Sequence, residues 1–487
     1  MKKLIIYLAV ILSLLSSACS HDFLERSPIS NMNEKDFYKT ESDFNTALMA
    51  VYQTLHTIYD PAGPVSQFGE LMSDNATLTQ HTGVQGDYFD IRDHLIKDRN
   101  SLILDHWNDF YTSLYRVNTF LSKIQFADFE RKTEFEAEAK FIRGLYYLLM
   151  VQIWGDIPLV TEPLNVDESY ALGRTPVQMV YEQVIADLDF AAKNLPTKLN
   201  VTETGRVCSE AAYGMLAKTY LARNASGDEA LAQAALMNIY NKPGFSLAPS
   251  YEDLWDLDKK NGTESVFEIQ YKGGANNPYS SYWRLFAPFE NHGGFFLNGK
   301  YKDLELHASG GGDNQVTDDL WNAYEPGDPR RDISIADGWY SGSGDINTTR
   351  FPIKWVDLDA PRVNEAELCD NNFIVLRYAD VLLMLAEVTG DAKYLNEVRN
   401  RVGMPHWGDA EYPTILYPTL ELAIEHERQV ELALEFHRYF DLKRTGRAAA
   451  VLGSSGKAIS KVQTVFPIPL TVITQNPGII TQNEEYK

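Results

Sequence analysis

The chain has 487 residues, 44% hydrophobic and 23% charged, and its 67 Asp and Glu against 44 Lys and Arg give a formal net charge of -23. That balance excludes nucleic-acid binding, which rests on Lys and Arg, and electrostatic docking onto anionic lipid. The length suits one large body with an insertion, or two domains, and 27 Tyr, 23 Phe and 8 Trp can furnish both core and binding surface.

Lys2 and Lys3 precede an apolar run from Leu4 to Leu15, then the small residues Ser16, Ser17 and Ala18, then Cys19. This is the layout of a secretory signal. A Cys directly after the small residues points to lipoprotein processing, with residues 1–18 removed and Cys19 acylated. The plainer alternative is an ordinary signal peptide that contains a Cys. The apolar run is too short to stay as a spanning helix, and no later run is long enough, so the expected membrane attachment is the lipid alone. Cys208 and Cys369 are too few for a disulfide framework and are expected as two buried thiols.

Residues 19–33 read as a polar tether broken by Pro28. Helical spacing predicts a helix from Asn33 to Tyr59, with Phe37, Phe44, Leu48, Val51, Tyr52 and Leu55 on one face. From Ala62 to Asp98 the period is lost, and the stretch reads as a long loop of the kind that carries function. Ser101 to Gln125 is a second helix. The third, around Phe135 to Ile153, has two adjacent apolar rows, so it should be packed on two sides. Gly155 and Pro158 stop it. Arg143 lies inside the apolar run and needs a carboxylate, which the C-terminal helix is expected to supply. Thr175 to Leu195 follows, with Pro176 in the first turn after a Thr cap, then Ser209 to Asn224, capped by Ser209. Tyr213, Leu216, Ala217 and Tyr220 have the spacing of a tetratricopeptide first helix, partly repeated by Leu382, Leu385 and Ala386. The fold class is mostly α, a tetratricopeptide-like helical-repeat body.

Residues 244–376 differ. Gly and Pro are dense, aromatics cluster, and the stretch reads as an irregular, loop-rich inserted lobe between an N-terminal helical body at 34–243 and a C-terminal helical part at 377–487. In that last part helices are expected over Tyr378 to Val388, Ala392 to Val402, and Thr419 to Arg444. Glu427, Glu431 and Glu435 are spaced by four and share one face, while Arg428 and Arg438 stand three residues from Glu431 and Glu435. With Arg143 they are expected to form a structural ionic network.

The chain resembles the SusD/RagB family of outer-membrane nutrient-binding lipoproteins. The resemblance rests on Cys19, on FLERSP at Phe23 to Pro28, and on EAKFIRGLYYLLMVQIWGDIPLVTEP at Glu138 to Pro163. It continues with RYADVLLMLAEVTGD at Arg377 to Asp391, LNEVRNRVGMP at Leu395 to Pro405, ERQVELALEFHRYFDLKRTG at Glu427 to Gly446, and VFPIPLTVITQNPGIITQNEEY at Val465 to Tyr486. It implies a surface-exposed lipoprotein of the outer membrane, not an enzyme, which captures an oligo- or polysaccharide, or in some members peptide. It also implies a partner, a SusC-like TonB-dependent transporter that receives the ligand. The chain departs from the family in one respect: directly after Cys19 the only acids are Asp22 and Glu25.

A sugar presents an apolar face and a rim of hydroxyls, so its binder needs aromatic platforms flanked by polar groups. Two stretches qualify, and loops from the same two regions bind ligand in family members. One runs from Phe68 to Phe89 and offers Asp74, Asn75, Gln80, Tyr88 and Phe89. The other runs from Asn276 to Phe296 and offers Asn277, Tyr279, Tyr282, Trp283, Arg284 and Phe296. Trp283 and Tyr279 lead, although core packing is the commoner role of any one aromatic. No catalytic, metal or cofactor constellation is legible. His426-Glu427 is followed by Val430 where a zinc helix needs His, Gly310 to Gly312 lacks a phosphate-loop Lys, and Asp313, Asp318 and Asp319 lack EF-hand spacing. A structural helical-repeat adaptor and a surface glycan hydrolase are the alternative classes.

Overall fold

The computed structural model describes residues 37–79, 86–274, 277–289, 294–305, 310–357, 369–457, 459 and 461–487. The signal peptide, Cys19, the tether, Gln80 and Asn276 lie outside the described residues. Helix α1 (Glu41–Ile58) starts at a capping box. The Thr40 hydroxyl accepts from the Asp43 N–H at 3.2 Å, and the Asp43 carboxylate accepts from the Thr40 N–H at 2.8 Å. This cap sets the start later than the expected Asn33. Helix α2 (Ser101–Ile124) is capped by the Asn100 side chain.

Helix α3 (Lys132–Trp154) is the central element. Residues 141–151 are all buried, and it packs against α1, α2 and α4 (Val177–Asn194). A β-carbon at Gly144 would stand 3.0 Å from Leu188 Cγ, so this glycine lets α3 and α4 approach closely. Gly155, at φ +72°, ends α3 and donates to the Val151 carbonyl. Two caps differ from expectation. Pro176 is itself the N-cap of α4, and Cys208 holds that place for α5 (Ser209–Arg223), which ends at left-handed Asn224. Sequence reading also missed α6 (Asp228–Leu236), whose alanines give little periodic contrast although Ala232, Ala235 and Leu236 are buried. Helices α7 (Tyr378–Thr389) and α8 (Ala392–Arg401) pack on each other, and α7 also packs on α6.

The expected single helix from Thr419 to Arg444 is two helices, α9 (Leu420–Glu431) and α10 (Arg438–Arg444). Between them Leu434 and Phe436 take left-handed backbone, φ +65° and +66°. Apolar periodicity runs through this break, so the sequence does not announce it. What holds it is Glu70, whose carboxylate accepts from the N–H groups of Leu434 and Phe436 at 3.1 Å each. A β-carbon on neighbouring Gly69 would sit 2.1 Å from the Phe436 carbonyl oxygen. The two segments therefore touch backbone to backbone.

Residues 63–76 are all buried. This part of the stretch expected as a long loop is a structured plug, with a wide helical turn at Gln67–Leu71 and a short strand β1 (Ala76–Thr77). Strand β2 (Ser265–Ile269) pairs antiparallel with β4 (Phe373–Arg377), and β1 pairs antiparallel with β3 (Gln315–Val316). One hydrophobic core runs through the helices and β2 and β4, and a second, smaller one is built from Trp283, Phe296, Tyr301, Trp339, Phe351 and their neighbours.

Candidate functional site

The two candidate stretches meet at a seam. Thr79 donates its N–H to the Gly312 carbonyl at 2.9 Å, extending the β1–β3 pairing. On the other side, the N–H groups of Gly310, Gly311, Gly312 and Asp313 donate to the carbonyls of Pro288, Arg284, Ala287 and Leu285. A β-carbon at Gly310 would stand 2.0 Å from the Ala287 oxygen. At Gly312, with φ +72°, it would stand 2.9 Å from Thr79 Cβ and 3.3 Å from Phe289 Cβ. The glycine run is therefore a backbone-only joint that the two loops share.

Half-buried Tyr88, on the short helix Gly86–Arg92, feels the charge of Asp313 at this seam and is followed by half-buried Phe89, while exposed Arg284 and half-buried Phe289 lie on the second side. Burial pushes the Tyr88 hydroxyl up to about 12, helped by the negative fields of Asp313 and Asp60. It stays protonated and can donate. The Arg92 guanidinium sits 4.8 Å from the Phe89 ring centroid. Aromatic faces, a neutral phenol, carboxylates and the exposed Arg284 make a surface that can stack on a ring and bond its hydroxyls, while Arg92 is already paired with Asp93 at 2.7 Å.

Other candidates prove to be core. Asp74 is buried and held in a fork by Arg438, Nε to Oδ1 at 2.8 Å and Nη2 to Oδ2 at 2.9 Å. Burial raises its pKa, and Arg438 more than offsets this and lowers it. Buried Asn75 bonds Glu70 and Gln429. Tyr282 is fully buried, stacks on both Trp355 and Phe373 at 5.3 Å, and donates to the Tyr59 carbonyl. Trp283 stacks on Phe296 at 6.1 Å inside the second core. A loop-rich stretch without long helices still needs a core, and its large aromatics supply it. None of these five presents a face to a ligand.

The ionic residues are rearranged too. Arg143 pairs with Asp187 of α4, Nε to Oδ2 and Nη2 to Oδ1 at 2.7 Å each, and not with the C-terminal helix. Asp187 is the one acid in the buried row Val180, Val184, Leu188 and Ala191, a signal that could have found it. Glu427 bonds Arg330 and Arg399. Glu431 bonds Arg330, Arg377 and Arg401. Glu435, within the helix break, bonds Arg377 and Lys354. Burial alone would raise Glu431, but its three arginines hold it well below the usual carboxylate range. Arg428 turns away to Asp380 and Asp441. These groups are buried, except Arg401, whose side chain alone is covered, and Asp441, which is partly covered. Such a network positions backbone.

Some half-exposed aromatics were not singled out from sequence. Phe295 stacks on Tyr340 at 5.3 Å, with the Tyr340 hydroxyl donating to Asp303. Trp321 lies between the guanidiniums of Arg331 and Arg350, at 4.5 and 4.6 Å. Asn277 is exposed and Tyr279 half-buried, on the turn whose Pro278 lines a cavity of ≈ 520 Å³ beside α1 and β2. Cys208 and Cys369 are free and buried. Among the described residues, no group of three or more His, Cys, Asp or Glu could hold a metal ion.

Residues 22–221 match a family model described as "Starch-binding associating with outer membrane", and residues 340–486 match one described as "SusD family". Two proteins of Formosa agariphila are similar over nearly their whole length. SusD-like protein P25 is 29% identical and SusD-like protein P2 is 26% identical, each alignment covering 98% of both chains. A solved "Laminarin binding SusD-like protein" superposes with a TM-score of 0.78 at 27% identity, covering 92% of this chain and 100% of its own. Surface glycan-binding protein A from Bacteroides thetaiotaomicron, in complex with laminarihexaose, gives a TM-score of 0.74 over 91% of this chain and 100% of its own. At 22% identity this is a likeness of fold.

Proposed function

This chain belongs to the SusD family, and from that premise we propose that it captures a glycan at the seam between residues 68–89 and 277–313 and hands it to a TonB-dependent transporter. The observation that carries the proposal is the Gly310–Gly312 joint, which ties Thr79 to the turn that carries Arg284 and Phe289, with Tyr88 near enough to feel the charge of Asp313. The protein works without chemical turnover of its ligand. It is held at the outer membrane by the lipid on Cys19 and faces outward. A relative described as laminarin-binding makes laminarin the first glycan to try.

The experiment uses the chain from Ser20 onward. It is titrated calorimetrically with laminarin, starch, plant and host polysaccharides and a peptide digest, and the mixtures are analysed for cleavage. Saturable binding to one glycan class with no product is the expected result. Product formation, or binding to the peptide digest alone, overturns the reading.

A further inference from the structure

Between α3 and α4 the chain makes an excursion that closes on itself. Ile157 and Thr175 exchange backbone hydrogen bonds at its base, at 3.3 and 2.8 Å. The outgoing limb is fastened to the body by three donors. The Tyr111 hydroxyl bonds the Pro158 carbonyl at 2.8 Å, the Asn118 amide bonds the Val160 carbonyl at 2.8 Å, and Arg143 Nη1 bonds the Thr161 carbonyl at 2.9 Å. The returning limb is fastened by Arg174, Nε to the Asp156 carbonyl at 2.7 Å and Nη1 to the Thr481 carbonyl at 2.8 Å. Between these limbs stands the short helix Val166–Ala171, and every residue of it is exposed.

A helix shorter than about 12–15 residues is marginal in water, and helices in proteins draw most of their stability from a packed apolar face. This helix has a capping box: the Asn165 side chain accepts from the Glu168 N–H at 3.0 Å, and the Glu168 carboxylate accepts from the Asn165 N–H at 2.8 Å. A cap fixes where the helix starts and buries nothing. Val166 and Tyr170 are four apart and so share one face, and they are 68% and 48% exposed. Ile479, 46% exposed, lies against the returning limb, its carbonyl oxygen 3.8 Å from where a β-carbon on Gly173 would stand. The apolar face is thus formed and presented, and the described residues leave it open.

Shape and charge define what fits it. Small-molecule sites are concave, whereas this helix protrudes on a clamped excursion. Anchors at i and i+4 on a protruding helix suit an apolar groove in another protein. Residues 162–173 carry Glu162, Asp167 and Glu168 and no Lys or Arg. Acids around an apolar centre are answered by Lys or Arg around the partner's groove. The same acids disfavour a second copy set face to face, which would bring like charges together, and an anionic lipid surface.

We propose that the face of Val166 and Tyr170 is a protein-docking surface, seated in an apolar, basic-rimmed groove of the transporter that receives the ligand. The proposal rests on the transporter reading above and does not involve the glycan seam.

The test uses the full lipidated chain in its own outer membrane, with p-benzoylphenylalanine in place of Tyr170. Irradiation should link that position to a TonB-dependent transporter, identified by mass spectrometry. Val166→Ser with Tyr170→Ser should cut the amount of transporter that co-purifies with the chain at least tenfold, and Glu162→Lys with Asp167→Lys should cut it as well. Both paired variants should keep the wild-type Tm and glycan affinity, since all four residues are exposed and outside the seam. No link from position 170, a link only to a second copy or to lipid, or co-purification undiminished by Val166→Ser with Tyr170→Ser overturns the docking surface. If the transporter still co-purifies in those cases, only the surface fails. If the wild-type chain brings down no transporter, the transporter reading fails and the surface with it.

Discussion

Arg143 and Asp187 form a fork with no exposed face, and removing either partner leaves the other charge buried and unanswered. Breaking such a pair costs about 3–5 kcal/mol. Arg143→Leu and Asp187→Leu should each destabilise by that amount in urea unfolding, and the double variant by clearly less than the sum. Arg143→Leu combined with Glu431→Leu should be additive, since the two share no partner. The sequence showed that Arg143 needed an acid. It did not show which, because several buried acids meet the same electrostatic demand, and the nearest in space belongs to the next antiparallel helix. The same blindness affects Trp283 and Tyr282. Composition shows an aromatic-rich stretch, but which rings face inward depends on a core assembled from Phe296, Phe351 and Trp355, far apart in the chain.

At the scale of elements, the break between α9 and α10 is held by a carboxyl that burial has pushed up to about 7, against the pull of Asn75 and the Leu434 and Phe436 N–H groups. The ordinary value of a glutamate is 4.5, and the folded value lies above it. The contribution of Glu70 is therefore fully present below about pH 4.5 and is lost as pH rises through 7. Over that window wild-type stability should fall, relative to a Glu70→Gln variant, by about 3 kcal/mol. Denaturant midpoints of the two proteins from pH 4.5 to 7.5 read this directly, and parallel curves would refute the role of Glu70. Helix existence was legible from periodicity for α1 to α5 and α7 to α9. The break, the caps at Pro176 and Cys208, and Ala-rich α6 were not. Left-handed Leu434 and Phe436 depend on Glu70 and Gly69, some 365 residues away in the chain, and no local pattern encodes that contact.

At the scale of the molecule, residues 63–76 thread beneath the C-terminal helices and emerge at the seam, so the plug that shapes α9 and α10 also presents Tyr88 and Phe89. That the stretches Phe68 to Phe89 and Asn276 to Phe296 combine aromatic and polar groups was readable from composition. The joint was not, because no local pattern shows that Ala287, Leu285 and, at Gly312, Thr79 and Phe289 fill the space that side chains on Gly310 to Gly312 would take. The measurement that tests the central claim most directly is the affinity of the best-binding glycan for wild type, for the paired variant Tyr88→Ala, Phe89→Ala, and for Trp283→Ala, with thermal stability recorded beside each. The paired variant should stay folded and bind at least tenfold more weakly, a loss of about 1.4 kcal/mol or more. Trp283→Ala should instead lose about 3–5 kcal/mol of stability, as core truncations do. Full affinity in the paired variant would contradict the account.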